Sequence, residues 1–108
     1  SARTAEIAAV NAELTDANRR LEALARTDPL TGLANRRRFE HALAQALHEG
    51  PVGLVVIDVD HFKRYNDRAG HAAGDDCLRA VGAALAAAVR DGELPARYGG
   101  EEFAVLLP

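Results

Sequence analysis

Arg97–Leu107, which reads Arg-Tyr-Gly-Gly-Glu-Glu-Phe-Ala-Val-Leu-Leu, is the stretch around which the rest of this sequence is organised. Tyr98 and the apolar run Phe103–Leu107 have the aromatic, β-branched and aliphatic content that is typical of buried strands. The two glycines between them supply the positive φ angles of a two-residue hairpin turn at little steric cost. The stretch therefore predicts a strand, a tight turn and a second strand.

Two carboxylates, Glu101 and Glu102, follow the glycines directly. Side chains alternate along a strand, so these two acids are expected to point in different directions. A carboxylate beside bare glycine backbone suits a metal ion and phosphate oxygens. A surface hairpin with solvated acids is the plainer interpretation, because Gly-Gly is the ordinary signal of such a turn.

Composition and charge describe one small globular domain. The chain has 108 residues, of which 48% are hydrophobic and 27% are charged,. The net charge of −3 provides no basic field for nucleic acid, and no apolar run approaches the ~20 residues of a membrane span,. The single cysteine, Cys77, excludes an intrachain disulfide and fits a reducing compartment,.

Residues 1–26 predict one long helix, because they lack glycine and proline and are rich in good helix formers,. Their apolar residues recur at the spacing of heptad a and d positions, which favours a parallel two-stranded coiled coil. A single amphipathic helix packed on its own domain is the alternative. The helix is expected to end near Thr27-Asp28-Pro29. The heptad positions are Ile7, Val10, Leu14, Ala17, Leu21 and Leu24.

The remaining chain predicts helix, strand, helix and the hairpin. One helix is expected from about Arg36 to His48, and another from Asp75 to Arg90,. Between them Val52–Asp60 begins as a continuous aliphatic run, which predicts a central, buried strand. A loop is expected to follow it, over residues 61–75. The helix from Asp75 has acids at its positive N-terminal end, so a helix cap is one role for Asp75.

The predicted central strand ends in Asp58 and Asp60. Residues i and i+2 of a strand share a face, and acids there are costly unless they are paired or bind a cation. Such acids can hold Mg²⁺ against a substrate phosphate, whereas capping of the next turn is the alternative. If this strand lies beside the hairpin, Asp58 and Glu101 converge on one site.

Three polar residues of the predicted loop suit a nucleotide. Lys63 brings a positive charge close to the acids and can stabilise a transferring phosphoryl group,. Asn66 both donates and accepts hydrogen bonds, while the carboxylate of Asp75 accepts only. Together they match the N1–H and N2–H₂ edge of guanine, although other ligands fit the same groups.

Four blocks make this sequence resemble the GGDEF family of diguanylate cyclases over every residue from Thr27 to Pro108. The blocks stand in the family's order and spacing, which is far more specific than a lone Gly-Gly-Glu-Glu-Phe. They are Thr27–Arg37 (TDPLTGLANRR), Asp58–Asp67 (DVDHFKRYND), Gly70–Asp75 (GHAAGD) and Arg97–Phe103 (RYGGEEF).

The resemblance implies an α+β nucleotidyl-cyclase fold, similar to a polymerase palm and to the ferredoxin-like fold, with a central antiparallel sheet flanked by helices. Residues 1–26 would be a coiled-coil signalling linker, and residues 27–108 the N-terminal portion of the cyclase domain. The implied reaction condenses two GTP into cyclic di-GMP and two pyrophosphates. Two domains of a homodimer each present one GTP, and Mg²⁺ or Mn²⁺ assists the transfer.

The resemblance also implies roles for the acids and the lysine. Asp58, the carbonyl of Val59 and Glu101 match the family's metal ligands. Glu101 also matches the proposed proton acceptor, and Glu102 supports the metal site. Lys63 matches the transition-state stabiliser.

Nucleotide-binding roles are implied for five further residues. Asn66 and Asp75 match positions that contact the guanine, and His71 matches another nucleotide-contacting position. Gly99 and Gly100 match the glycines that let the backbone approach the phosphates.

The chain departs from the family pattern in two respects. The family's inhibitory product site has Arg-x-x-Asp five residues before the Gly-Gly turn, where this chain has Arg90-Asp91-Gly92-Glu93. Glutamate keeps the charge but adds a methylene, so weak or absent product inhibition is expected. The family also continues beyond Pro108 with basic residues that hold the GTP phosphates. A polypeptide ending there is expected to be poorly active or to form a swapped dimer, unless it is a trimmed portion of a longer protein.

Three functions therefore compete. The first is a cytoplasmic diguanylate cyclase, activated by dimerisation through residues 1–26 and coupled to an upstream sensor domain. The second is a catalytically silent GGDEF module that binds GTP or a partner and regulates a neighbouring domain. The third is a structural coiled-coil dimeriser, which the joint presence of Asp58, Asn66 and Asp75 disfavours. Neither a nucleic-acid partner nor a membrane span is expected.

Overall fold

The computed structural model describes residues 2–108, without the side chains of Ala2, Glu22, Ala23 and Leu24. Over this range four helices and three strands form an α+β fold, as expected. The helices are α1 (Ala2–Leu24), α2 (Arg36–Glu49), α3 (Phe62–Ala69) and α4 (His71–Ala88). The strands are β1 (Gly53–Asp58), β2 (Leu94–Arg97) and β3 (Glu102–Leu107).

The sheet has the order β1-β3-β2, and both strand pairs are antiparallel. The central strand is therefore β3, and the prediction of a central, buried β1 is wrong. Strand β1 pairs on one side only within the described residues, and its faces are incompletely covered: Leu54 is 50% exposed and Val56 67%. The strand ends at Asp58, so Asp60 lies in the following turn and does not share a strand face with it.

Strand β3 connects two hydrophobic clusters because its side chains alternate between the two faces of the sheet. Ala104 and Leu106 pack with α2 residues on one side, including the buried Phe39. Phe103 packs on the other side with Phe62 of α3 and further residues of α4, and is fully buried. Helices thus flank the sheet, in agreement with the expected architecture.

The segment after β1 differs from its prediction. Residues 62–69 form α3 instead of a loop, because Phe62 is buried in the core and anchors a helical turn there. Gly70, with φ of 91°, separates α3 from α4. Helix α4 begins at His71, so Asp75 lies one turn inside it and is not its cap. The helix ends at Ala88, two residues before the expected end.

Helix α1 ends at Leu24, close to the predicted boundary, and its seam points to solvent. Ile7, Val10, Leu14 and Leu21 are between 53% and 65% exposed, and every described side chain from Arg3 to Leu21 is exposed. The alternative of a helix packed on its own domain is therefore wrong for these residues. The Leu24 heptad position lies outside the described side chains. In the described part of the chain, no helix has both the length and the apolar character of a membrane span.

Candidate active site

The hairpin turn is longer than the sequence predicts. Residues 98–101 connect β2 to β3, and the amides of Tyr98 and Gly99 both donate to the carbonyl of Glu102, at 2.8 and 3.2 Å. Gly99 and Gly100 are not among the positive-φ residues, so the predicted two-residue turn on left-handed glycines is wrong. A four-residue connection reverses the chain without that conformation.

The surroundings of Gly99 and Gly100 differ in the room that they leave for a side chain. A Cβ atom on Gly99 would lie 3.2 Å from a carboxylate oxygen of Glu102, which is a tight contact. A Cβ atom on Gly100 would meet no atom within 4 Å. The backbone at Gly100 therefore has open space beside it, where a ligand atom can approach.

The acids of β1 and of the turn meet at one end of the sheet. Asp58 lies directly opposite Glu102 in the β1–β3 register, and the amide of Val59 donates to the carbonyl of Glu101 at 3.0 Å. Strands β1 and β3 are neighbours. The sequence predicted a shared site for Asp58 and Glu101 on this condition. Asp58 and Glu102 are exposed and Glu101 is half-buried. Like charges directly opposite on a sheet repel each other, which favours a cation between them.

These residues provide donors of the type that Mg²⁺ and Mn²⁺ prefer. Asp58 and Glu101 offer carboxylate oxygens, and Val59 offers a carbonyl oxygen, while no nitrogen or sulfur ligand is implied. Among the residues that the structure describes, no three or more acidic, histidine or cysteine side chains are already arranged to hold a metal ion. The donor chemistry thus fits a hard divalent cation, which would need further oxygen ligands to complete its coordination.

The predicted guanine contacts gather where α3 meets α4. The Nδ2 atom of Asn66 lies 3.2 Å from Nδ1 of His71, the first residue of α4. The other amide atom of Asn66, Oδ1, is buried and has no hydrogen-bond partner among the described residues. A Cβ atom on Gly74 would overlap that oxygen. Asp75 is exposed one helical turn after His71, so both lie on the same face of α4,.

Lys63 and the two residues of the predicted inhibitory motif lie on different elements. Lys63 is exposed in the first turn of α3, four residues after Val59. Arg90 and Glu93 lie in the α4–β2 connection. There Glu93 Oε1 accepts a 2.7 Å bond from the backbone amide of Arg90, whose carbonyl accepts from the Glu93 amide at 3.0 Å. The carboxylate of Glu93 is thus engaged in closing its own turn.

Sequence reasoning missed an ion pair beside the turn. Arg97 Nη1 lies 3.2 Å from Oδ1 of Asp28, and both side chains are largely buried. The same guanidinium donates twice to the carbonyl of Gly100, from Nε at 3.2 Å and from Nη2 at 2.9 Å. No local pattern marks this pair, since its members are 69 residues apart.

Asp28 is held ionised by its neighbours. Burial of the carboxyl opposes ionisation, but hydrogen bonds from the hydroxyl and amide of Thr31, at 2.8 and 2.9 Å, and the charge of Arg97 outweigh it. The pKa of Asp28 therefore lies below its ordinary value. The negative charge of Asp28 therefore persists across the neutral range.

A second anchor ties the turn to α2. The hydroxyl of Tyr98 donates to Oε1 of Glu40 at 3.1 Å, and the Arg36 guanidinium lies 4.5 Å from the centre of the Tyr98 ring. Phe39 meets the same ring edge-on, with centroids 5.9 Å apart. The hydrogen bonds from Arg36 and Tyr98 lower the pKa of Glu40. The aromatic residue before Gly99 thus fixes one end of the turn.

Comparison with known proteins gives a consistent result. The family model described as "Diguanylate cyclase, GGDEF domain" matches residues 25–108. Diguanylate cyclase VdcA of Vibrio cholerae is 42% identical over 106 residues, which are 92% of this chain and 31% of that protein. Cyclic di-GMP phosphodiesterase NbdA of Pseudomonas aeruginosa is 41% identical over 112 residues, covering 96% of this chain and 14% of that protein.

Solved structures agree with the fold. The coiled coil and GGDEF domain of DgcB from Caulobacter crescentus, in complex with c-di-GMP, aligns with a TM-score of 0.75 and 36% identity. The alignment covers 100% of this chain and 61% of that one. The chain thus spans a third or less of these two curated relatives, and less than two thirds of this solved structure.

Proposed function

This chain belongs to the GGDEF family of diguanylate cyclases, and we propose that its full-length protein condenses two GTP molecules into cyclic di-GMP and two pyrophosphates. The observation that carries this proposal is the junction of β1 with the turn. There Asp58 pairs with Glu102 across the β1–β3 ladder, and the backbone amide of Val59 donates to the carbonyl of Glu101. Residues 1–26 are the signalling linker in this proposal, and residues 27–108 belong to the cyclase domain.

In the proposed reaction the carboxylates of Asp58 and Glu101 and the carbonyl of Val59 would hold a divalent cation. The cation, Mg²⁺ or Mn²⁺, would lower the cost of the negative charge that develops on the transferring phosphoryl group. Glu102, opposite Asp58, adds negative charge that favours cation binding. Glu101 accepts the proton of the attacking 3′-hydroxyl, and Lys63 stabilises charge on the phosphoryl oxygens.

Guanine recognition is proposed for the α3–α4 junction. The buried Oδ1 of Asn66 has a free acceptor position, and a buried acceptor left unpaired costs roughly 1–3 kcal/mol,. A guanine N–H would satisfy it, while the Asp75 carboxylate accepts from the other donors of the same edge. His71 orients Asn66 through the 3.2 Å contact. Gly99 and Gly100 leave space for the phosphates.

Dimerisation follows from the chemistry, because each domain presents one GTP and the two must face each other. The exposed seam of α1 supports a parallel coiled coil that brings two domains together,. An upstream sensor domain would act through this helix, and we place the protein in the cytoplasm, where GTP is available.

Product formation from GTP tests the proposal directly. The full-length protein is incubated with GTP and Mg²⁺, and cyclic di-GMP and pyrophosphate are measured across a range of protein concentrations. We expect a steep dependence on concentration and a rate at least about 100-fold lower for Glu101→Gln. Glu49→Gln, at the exposed end of α2, is the matched control and should leave the rate unchanged. No product at any concentration, with GTP binding intact, would refute the proposal.

A catalytically silent module is the second candidate. The observation that favours it is the strong similarity to a protein named as a cyclic di-GMP phosphodiesterase. Glu101→Ala separates the two candidates in cells. Loss of a signalling phenotype that depends on cyclic di-GMP supports the cyclase, whereas retained regulation supports the silent module.

A further inference from the structure

We propose that Arg97 is a positioning residue for Glu101, and that Asp28 holds Arg97 in place, so that the turn is connected to the end of α1. The inference deepens the proposed function and rests on it. It concerns the orientation of the Glu101 backbone, which Arg97 influences without contacting the reacting groups.

The guanidinium of Arg97 fixes the peptide unit that precedes Glu101. Its Nε and Nη2 atoms donate to the Gly100 carbonyl at 3.2 and 2.9 Å. A trans peptide is planar, so fixing this carbonyl also directs the amide of Glu101 to the opposite side. The peptide unit that follows is fixed as well, because the Glu101 carbonyl accepts from Val59 at 3.0 Å. With both flanking peptide planes held, the direction of the Glu101 Cα–Cβ bond is set.

Arg97 is itself held from two sides. Its backbone amide donates to the carbonyl of Ala34 at 3.0 Å, and its Nη1 atom lies 3.2 Å from Oδ1 of Asp28. The two side chains are only 20% and 14% exposed, so solvent screens the pair weakly,. Thr31 donates to the other oxygen of Asp28 through both its amide and its hydroxyl, which fixes the carboxylate plane.

The chemistry of this arrangement requires arginine. A planar guanidinium presents five donors in a fixed fork, so it reaches the Gly100 carbonyl with two of them and Asp28 with a third. The ammonium of a lysine is a compact charge at the end of a flexible stem and cannot reproduce this geometry. Arg97→Lys therefore keeps the charge and removes the orientation.

The same contacts lead back to α1. Asp28 follows the last residue of α1, Leu24, after a short connection. Within that connection, the carbonyl of Ala25 accepts from Asn35 Nδ2 at 2.9 Å, and the carbonyl of Arg26 accepts from the Asn35 amide at 3.0 Å. The chain leaving α1 is thus bonded to the start of α2 and, through Asp28, to the turn. A displaced α1 would change the support of Glu101.

Arg97→Lys in the full-length protein tests the inference. We expect kcat for cyclic di-GMP formation to fall on the order of 10-fold, since small misplacements of reacting groups are costly, with KM for GTP unchanged within about twofold. Hydrogen exchange of the Val59 amide should become faster, because its acceptor loses support. Arg79→Lys is the matched control, since Arg79 forms an exposed pair with Asp76 on α4. It should change neither quantity.

Two further variants distinguish positioning from simple stabilisation. Thr31→Ser keeps the hydroxyl and should retain kcat, whereas Thr31→Val should lower it in the same direction as Arg97→Lys. The double variant Asp28→Asn with Arg97→Lys should lose little more than Arg97→Lys alone, because both act through one contact. A purely structural pair would lower the melting temperature and leave kcat of the folded protein at its normal value.

The two levels of the proposal fail in different ways. Normal kcat and normal Val59 exchange in Arg97→Lys would overturn the positioning role while wild-type activity stands. Absence of cyclic di-GMP from the wild-type protein would overturn the proposed function instead. Exchange of the Val59 amide would then still report whether Arg97 supports the turn.

Discussion

The backbone amide of Val59 donates a 3.0 Å hydrogen bond to the carbonyl of Glu101, just beyond the Asp58–Glu102 pair that ends the β1–β3 ladder. This bond places the backbone of the acidic strand end against the backbone of the turn. Strand β3 is the central strand. The register of its pairing with β1 decides that Asp58 lies opposite Glu102. A shift by one residue would move every side chain of β1 to the other face.

Asp28 should make stability depend on pH in the acid range. Its pKa is lowered in the folded protein, so its contribution is present above the unfolded pKa, near 3.9, and is lost as pH falls through the folded pKa,. We expect Asp28→Asn to cost about 1.5–3 kcal/mol at pH 7, the range for hydrogen bonds to charged groups, and to flatten the decline below about pH 4.

Chemical denaturation at a series of pH values measures this effect. Asp16→Asn is the control, because Asp16 forms an exposed i,i+4 pair with Arg20 on α1. It should leave the pH profile unchanged. Parallel profiles for the wild type and Asp28→Asn would show that the pair with Arg97 does not shift the titration of Asp28.

Gly74→Ala should displace Asn66. The new Cβ would overlap Asn66 Oδ1 and lie 3.2 Å from Cζ of Phe62, and overpacking of this kind typically costs about 1–3 kcal/mol,. Alanine's higher helix propensity offsets up to about 1 kcal/mol of that, so we expect a net loss of roughly 1–2 kcal/mol. Weaker GTP binding should accompany it, measured by calorimetry.

Gly100→Ala provides the contrasting case. A Cβ atom there meets nothing within 4 Å, and Gly100 does not have a positive φ, so stability should change by less than about 0.5 kcal/mol,. Activity should fall nonetheless if the bare backbone approaches a phosphate.

The outcome of the Gly74→Ala experiment can also contradict the proposal. Unchanged GTP binding in Gly74→Ala would contradict the proposed position of the guanine.

Product should bind weakly at the Arg90–Glu93 turn. Oε1 of Glu93 accepts from the Arg90 amide at 2.7 Å, so the longer acid is directed at the backbone of its own turn instead of the Arg90 side chain. We expect cyclic di-GMP to bind the GTP-free protein with a dissociation constant above about 1 μM, weaker than about −8 kcal/mol. Submicromolar binding that Arg90→Ala abolishes would show that the motif is functional despite its longer acid.

Leu14→Asp should weaken the proposed dimer. Leu14 is 59% exposed at a heptad a position, where a charge would be buried in a coiled-coil seam,. We expect the dimer dissociation constant to rise at least about tenfold, equivalent to about 1.4 kcal/mol, with a parallel loss of cyclase rate at low protein concentration. Sedimentation velocity measures the first quantity.

Ala12→Asp is the matched control for that experiment. Ala12 is exposed on α1 and, with Leu14 at a, occupies the f position on the outside of the predicted coiled coil. It introduces the same charge within the same helical turn and should leave both dimer and rate unchanged. Equal effects of the two variants would argue against pairing through the predicted seam.

Patterns local in the chain could be predicted from the sequence. The periodicity of α1 and of α2 and the aliphatic run of β1 depend on near neighbours, and these elements lie close to their predicted bounds. The motif blocks identified the family, which the comparison confirmed over residues 25–108. The sequence also predicted that Asp58 lies beside the turn, on the condition that β1 and the hairpin are neighbours in the sheet.

Local patterns failed where packing decided the outcome. The run His61–Asp75 is polar and glycine-containing, yet the burial of Phe62 holds its first half in a helix. The aliphatic content of β1 suggested a central strand, but β3 takes that position because it pairs with β1 along one edge and with β2 along the other. Gly99 and Gly100 looked like left-handed turn residues, whereas neither has a positive φ, and only at Gly99 would a Cβ make a tight contact, with Glu102.

By itself, then, the sequence determined the family and the long N-terminal helix, and it supplied the residues that are proposed to bind a metal and a nucleotide. Only the tertiary structure decided which of them meet, and it alone revealed the contacts of Arg97 with Asp28 and Gly100. The physical reason is the separation along the chain between the groups that interact. Helical periodicity and turn chemistry act over a few residues, whereas strand order, register and a partly buried ion pair depend on groups that only folding brings together.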